Sequence, residues 1–147
     1  MLMRINLFSL TLVLGTSLVG SKALAADYDL SKLDIKKLPP VAAQKGVTYE
    51  KDIKPILEKS CVKCHGEDKP KSKYRLDSRE AMIKGGKSNE AAVVPGKSDK
   101  SPIVFQISDL MEDEDLRMPP TDKRDKYPPL TKDQIGLIRA WIDQGAK

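Results

Sequence analysis

The residues able to do chemistry in this chain are crowded into one short run, Cys61-Val62-Lys63-Cys64-His65, which holds both cysteines and the single histidine of the sequence. Two thiols three positions apart can each form a thioether to one of the two vinyl groups on a porphyrin edge. The imidazole that follows the second thiol is then placed to coordinate the iron. The spacing therefore predicts covalent attachment of one haem c, through Cys61 and Cys64, with His65 as an iron ligand. Iron held by His on one face still needs something on the other, and that choice separates electron transfer from ligand chemistry.

Other chemistries of a Cys-x-x-Cys pair suit the chain less well. Zinc takes four protein ligands, or three and a water, from Cys, His and carboxylates. With every Cys and His already inside the run, a zinc site would have to borrow distant carboxylates. A thioredoxin-like dithiol needs strands alternating with helices around it, and no convincing strand run is present.

The N-terminus points to the compartment. Arg4 precedes an apolar run from Ile5 to Gly20, and Ala23-Leu24-Ala25 supplies the small residues a signal peptidase requires. Residues 1–25 read as a secretory signal peptide, cleaved between Ala25 and Ala26. The run is short and weak for a span of about 20 residues, so no permanent membrane span is expected after cleavage. An exported, periplasmic or otherwise extracytoplasmic chain is where covalent haem attachment is expected.

Cleavage also removes Met1 and Met3, leaving Met82, Met111 and Met118 as thioether candidates for the second axial position. Met82 and Met111 fall at apolar positions of predicted helices, where Met commonly fills core. Met118 alone sits in a proline-stiffened loop, Arg117 to Pro129, with two Pro-Pro pairs and no helical face to explain it. The expected iron ligands are therefore His65 and Met118; an open iron face or a lysine are the alternatives.

Composition bounds the rest. Losing Arg4 and Lys22 with the signal lowers the formal net charge from +5 to +3, and haem propionates would lower it further. No aromatic-interleaved basic patch accompanies the high pI, so nucleic acid is not an expected partner. The mature length suits one domain, and with few aromatics a haem would supply much of its core.

The positioning elements follow in order. Residues 26–46 read as an extended N-terminal leader, with Leu30, Leu33, Ile35 and Leu38 available to dock on the domain, and residues 47–147 as the haem domain. Asp52 is the expected cap of a first helix that places Pro55 in its first turn and delivers Tyr49, Ile53, Ile56 and Leu57 to the motif. Gly66 to Lys73 is a lysine-rich loop, followed by a short helix capped by Asp77 or Ser78 and closed by Gly85-Gly86. Ser101-Pro102 starts another helix whose apolar spacing runs through Met111, and the acidic run Glu112 to Asp115 reads as its solvated end. Thr131 and Gln134 form a capping box on the last helix, with Leu130 and Ile135 as its staple. Gly136 inside that helix either lets another helix approach closely or is a merely tolerated exposed glycine.

Taken together, these stretches resemble a class I cytochrome c, and more narrowly the planctomycete-type cytochrome c domain family. The residues that carry the resemblance are Asp52 to Leu57, Cys61 to Gly66, Arg75-Leu76-Asp77, Pro95-Gly96-Lys97 with Ser101, Met118-Pro119-Pro120, Leu130-Thr131, and Trp141 to Ala146. The resemblance implies a small all-α fold wrapped around one covalent haem, and it too points to Met118.

Two function classes follow. The first is an electron carrier serving redox partner proteins, which needs no acid–base machinery; none is visible, and the one His is already committed as a ligand. The second is a haem-based sensor, ligand-binding or peroxidase-like protein with an open distal site. A single haem motif weighs against a di-haem peroxidase.

Overall fold

The computed structural model describes residues 29–88 and 90–147. The expected signal peptide, residues 1–25, lies outside the described residues. Those residues form helices and turns and no strand, the all-α architecture expected from the sequence.

The chain enters the motif through a π-helical turn, Tyr49–Ile53, that runs directly into helix α1, Lys54–Ser60. The cap is Thr48 rather than Asp52. Asp52 lies inside the turn and folds its carboxylate back to accept the Thr48 N–H at 2.8 Å. The cause is Pro55, which has no N–H to give to a helix begun this early. A wide turn, closed by the Lys54 N–H on the Tyr49 carbonyl, changes the register before the proline is reached. Tyr49, Ile53 and Leu57 are buried, and the Tyr49 ring packs 5.8 Å from that of Trp141. Helix α2, Val62–His65, then carries the motif.

Helix α3, Arg79–Lys84, is capped by the Ser78 hydroxyl and closed by Gly85 at φ 85, as its sequence predicts. Helix α4, Pro102–Ile107, is shorter than its apolar spacing suggests. It stops because Asp109 turns left-handed (φ 58), and the Leu110 N–H returns to the Phe105 carbonyl at 3.1 Å, a Schellman closure. Met111 is still buried, but from the loop. Ser101 precedes α4 without capping it: its hydroxyl accepts the Val94 N–H and donates to the Lys97 carbonyl. The acidic run is a separate short turn, Glu114–Leu116, capped by Asp113.

Helix α5, Lys132–Asp143, has the expected capping box, with Thr131 and Gln134 exchanging bonds of 2.9 and 3.2 Å. Trp141, Ile138 and Ile142 are fully buried along its inner face. A β-carbon on Gly136 would stand 2.6 Å from the Pro40 carbonyl oxygen. The close neighbour admitted there is thus the segment before the motif helices, not another helix. Ala42 N–H bonds to the Gly136 carbonyl at 3.0 Å, Arg139 donates to the Pro39 carbonyl, and Gln144 donates to the Gln44 carbonyl at 2.8 Å. Leu38 is buried and Leu30 and Leu33 pack against the core, whereas Ile35 stays exposed. The leader is therefore a strap laid across α5.

Candidate functional site

Cys61 closes α1 by donating its N–H to the Leu57 carbonyl at 2.8 Å. Its own carbonyl accepts the N–H groups of both Cys64 and His65, at 3.1 and 3.0 Å, so one helical turn gathers the three motif residues. Both cysteines are free thiols; Cys64 is exposed and Cys61 half-buried. Burial, aided by the neighbouring Cys64, pushes the Cys61 thiol up to about 12. A thiol so far from ionisation at neutral pH is unsuited to dithiol exchange, which runs through the thiolate. Among the described residues no group of three or more His, Cys, Asp and Glu side chains could hold a metal ion, which leaves a zinc site without support.

His65 is oriented from the segment that follows. Its Nδ1 lies 3.0 Å from the Tyr74 carbonyl oxygen. A carbonyl can only accept, so Nδ1 carries the proton and the lone pair is left on Nε2. Burial lowers the imidazole's pKa, opposed by its bonds to the Tyr74 and Lys71 backbone, so the ring is neutral at pH 7. A neutral imidazole with its Nδ1 proton held on a carbonyl is the tautomer whose Nε2 lone pair can bind iron. The donor set of two free thiols and one oriented imidazole therefore fits a haem.

The support runs deeper than the motif. The Leu76 N–H bonds to the His65 carbonyl at 2.7 Å, and the Leu76 carbonyl accepts the buried Tyr49 O–H at 2.8 Å. Arg75 and Asp77, on either side, form a two-pronged pair at 2.9 and 2.7 Å, and the guanidinium holds the Asp77 carboxyl below its ordinary value. The Tyr74 ring also packs against the imidazole in a T-shaped contact, with centroids 5.7 Å apart. The orienting role of Tyr74 is invisible in sequence because the bond to the imidazole comes from its main-chain oxygen.

Of the three methionines, Met82 and Met111 are buried in the core, and Met118 is half-buried at its margin. Met118 comes from a separate loop that begins with its N–H on the Gln106 carbonyl at 2.9 Å; the Met118–Pro119 peptide is cis. An arginine stands on each side of it. Arg117 donates to the Met111 and Glu112 carbonyls and pairs with Glu114 at 3.0 Å. Arg124 donates to the Pro119 carbonyl at 3.1 Å and grips Asp109 with both terminal nitrogens, at 2.9 and 2.5 Å. Further along the loop, the Lys123 ammonium pairs with Asp122 at 2.6 Å, and that bond raises its pKa. Sequence reasoning singled out Met118 as an expected ligand and gave neither arginine a role; Asp109 in a left-handed turn gave no sequence signal.

An all-helical fold that presents two thiols and an oriented imidazole on one turn is similar to a c-type cytochrome domain. More narrowly, residues 61–122 match the family model described as planctomycete cytochrome C, the family the sequence resembles. The matched region takes in the motif, Arg75 to Asp77, Pro95-Gly96-Lys97 and Met118-Pro119-Pro120, while α1 and α5 lie outside it. No curated protein and no solved structure matches the chain.

Proposed function

We propose that this protein is an exported mono-haem cytochrome that carries single electrons between redox partner proteins. Cys61 and Cys64 would hold the haem by two thioethers, with His65 Nε2 on one face of the iron and Met118 Sδ on the other. When bound, the haem supplies a one-electron Fe(III)/Fe(II) couple. The observation that carries the reading is the tie between His65 Nδ1 and the Tyr74 carbonyl, which presents Nε2 as a donor.

The chain's own residues do the rest. Tyr74 fixes the imidazole tautomer, and Leu76, braced by Tyr49, holds the backbone of His65. Arg117 and Arg124 restrain the Met118 loop. With its one His committed to the iron, the chain has no imidazole left to serve as a general base, which favours a carrier over a catalyst. Export rests on residues 1–25 acting as a cleaved signal; residues 26–46 would then be the leader and 47–147 the haem domain. No helix among the described residues is long and apolar enough to cross a membrane.

The absorption spectrum of the purified protein tests the assignment. The expected result is a split reduced-state band and a weak near-infrared Met–Fe band when oxidised. Rapid carbon monoxide binding by the reduced wild type, without that band, would replace the carrier with the sensor or peroxidase-like alternative.

A further inference from the structure

The C-terminal end of α4 is built against its own helix preference. The position after the cap, where the chain turns left-handed, usually belongs to glycine. Here it is Asp109, at φ 58, with a carboxylate at the negative end of the helix, where charge of that sign is unfavourable. Both penalties are met by one partner. Arg124 takes the two carboxylate oxygens in its fork and turns its remaining Nε–H to the Pro119 carbonyl. The same short stretch of α4 also supplies the Gln106 carbonyl that accepts the Met118 N–H. Main chain on both sides of the Met118 side chain is thus tied back to the end of α4, once directly and once through the ion pair.

We infer that Asp109 and Arg124 form a clasp whose purpose is to position Met118, trading the stability a glycine would give α4 for a fixed thioether. The inference rests on Met118 being the axial ligand. As a partly exposed pair, Asp109–Arg124 contributes little to global stability. Its effect lies in how often the loop holds the arrangement in which Met118 can bind, and hence in how often the iron face is closed. Both are positioning residues, since neither reaches the iron.

The two partners can be removed with opposite effects on the helix. Arg124→Gln breaks the fork and leaves Asp109 uncompensated. Asp109→Gly breaks the same fork but installs the residue that the left-handed turn favours. In the holoprotein, both variants are expected to weaken the near-infrared Met–Fe band and to speed carbon monoxide binding in the reduced state by about tenfold or more. Both should also hasten hydrogen exchange at the Met118 amide. Asp109→Gly should do so while its denaturation midpoint equals or exceeds that of the wild type, a combination that a purely structural role does not give. If Asp109→Gly keeps the wild-type band and carbon monoxide rate, while Met118→Ala loses the one and accelerates the other, the clasp is overturned and the ligand assignment stands. If Met118→Ala changes neither, the ligand assignment fails and the clasp falls with it.

Discussion

Cys61, Cys64 and His65 are held by main-chain bonds to residues close by in sequence, whereas Met118 has one main-chain bond, to Gln106, and otherwise relies on arginine side chains reaching across its loop. On the His65 side, the turn, the Tyr74 carbonyl and the Leu76 N–H form an arrangement with little freedom to shift, because each bond joins backbone to backbone or to a ring. On the Met118 side, apart from the Gln106 carbonyl, the partners are long side chains that can let go singly. The difference would suit the proposed covalent attachment, made once, and the proposed Met118 ligand bond, weaker and tunable. It also implies that the two sides answer to different mutations.

The largest effect should come from the covalent side. Cys61→Ala with Cys64→Ala is expected to abolish the haem colour that the wild type should keep on a denaturing gel. Wild-type haem that extracts into acidic organic solvent would end the covalent reading altogether.

Met118→Ala comes next and should spare that colour, separating the two sides. The variant is expected to turn high-spin or take up water, to bind carbon monoxide readily when reduced, and to lose reduction potential. A thioether favours Fe(II) over harder ligands, and the fall should sit well inside the roughly 0.8 V that axial ligation spans.

Gly136→Ala tests packing behind α5 rather than either ligand. Its new β-carbon meets the Pro40 carbonyl, so a loss of about 1–3 kcal/mol in denaturant unfolding is expected, with the Met–Fe band unchanged. A gain in stability, as helix propensity alone would give, would show that the strap yields there.

The smallest change is Tyr49→Phe, which removes the O–H to Leu76 and should cost about 1 kcal/mol at neutral pH. It carries a pH signature as well. Burial, then nearby acids, raise the Tyr49 phenol above its ordinary 10.0, so the folded chain keeps a proton that the unfolded chain releases. Stability from this group is intact below pH 10 and declines above it, by about 1.4 kcal/mol per pH unit. Equilibrium unfolding between pH 9 and about 11 should show the decline in the wild type, and the Phe variant should lack this group's share of it. An altered Met–Fe band in that variant would break the proposed independence of the two sides.

Legibility followed the range of the interactions. The haem motif and the α5 capping box are written in contiguous residues, so spacing alone reveals them. Met118 could be singled out because prolines exclude a helix around it. Where α4 ends could not, because the apolar pattern continues through Met111 while an arginine fifteen residues beyond Asp109 stabilises the turn. The first helix misled for a related reason: a π-turn allowed it to begin before Asp52 and still accommodate Pro55. Gly136 announced a close approach without naming the neighbour, which lies far back along the chain.

The strap across α5 has a consequence in time. Its bonds from Arg139 to Pro39 and from Gln144 to Gln44 each join residues 100 positions apart. Closing a loop of that length costs about 4 kcal/mol in chain entropy, which is lost before the contacts return anything. Because synthesis runs from the N-terminus, residues 38–46 emerge early and have nothing to dock on until α5 exists. Strap docking should therefore be among the last steps of folding and slow compared with forming the motif helix. A nascent chain that has not yet reached Gly136 can form the turn bearing Cys61, Cys64 and His65 while its outer layer is still open.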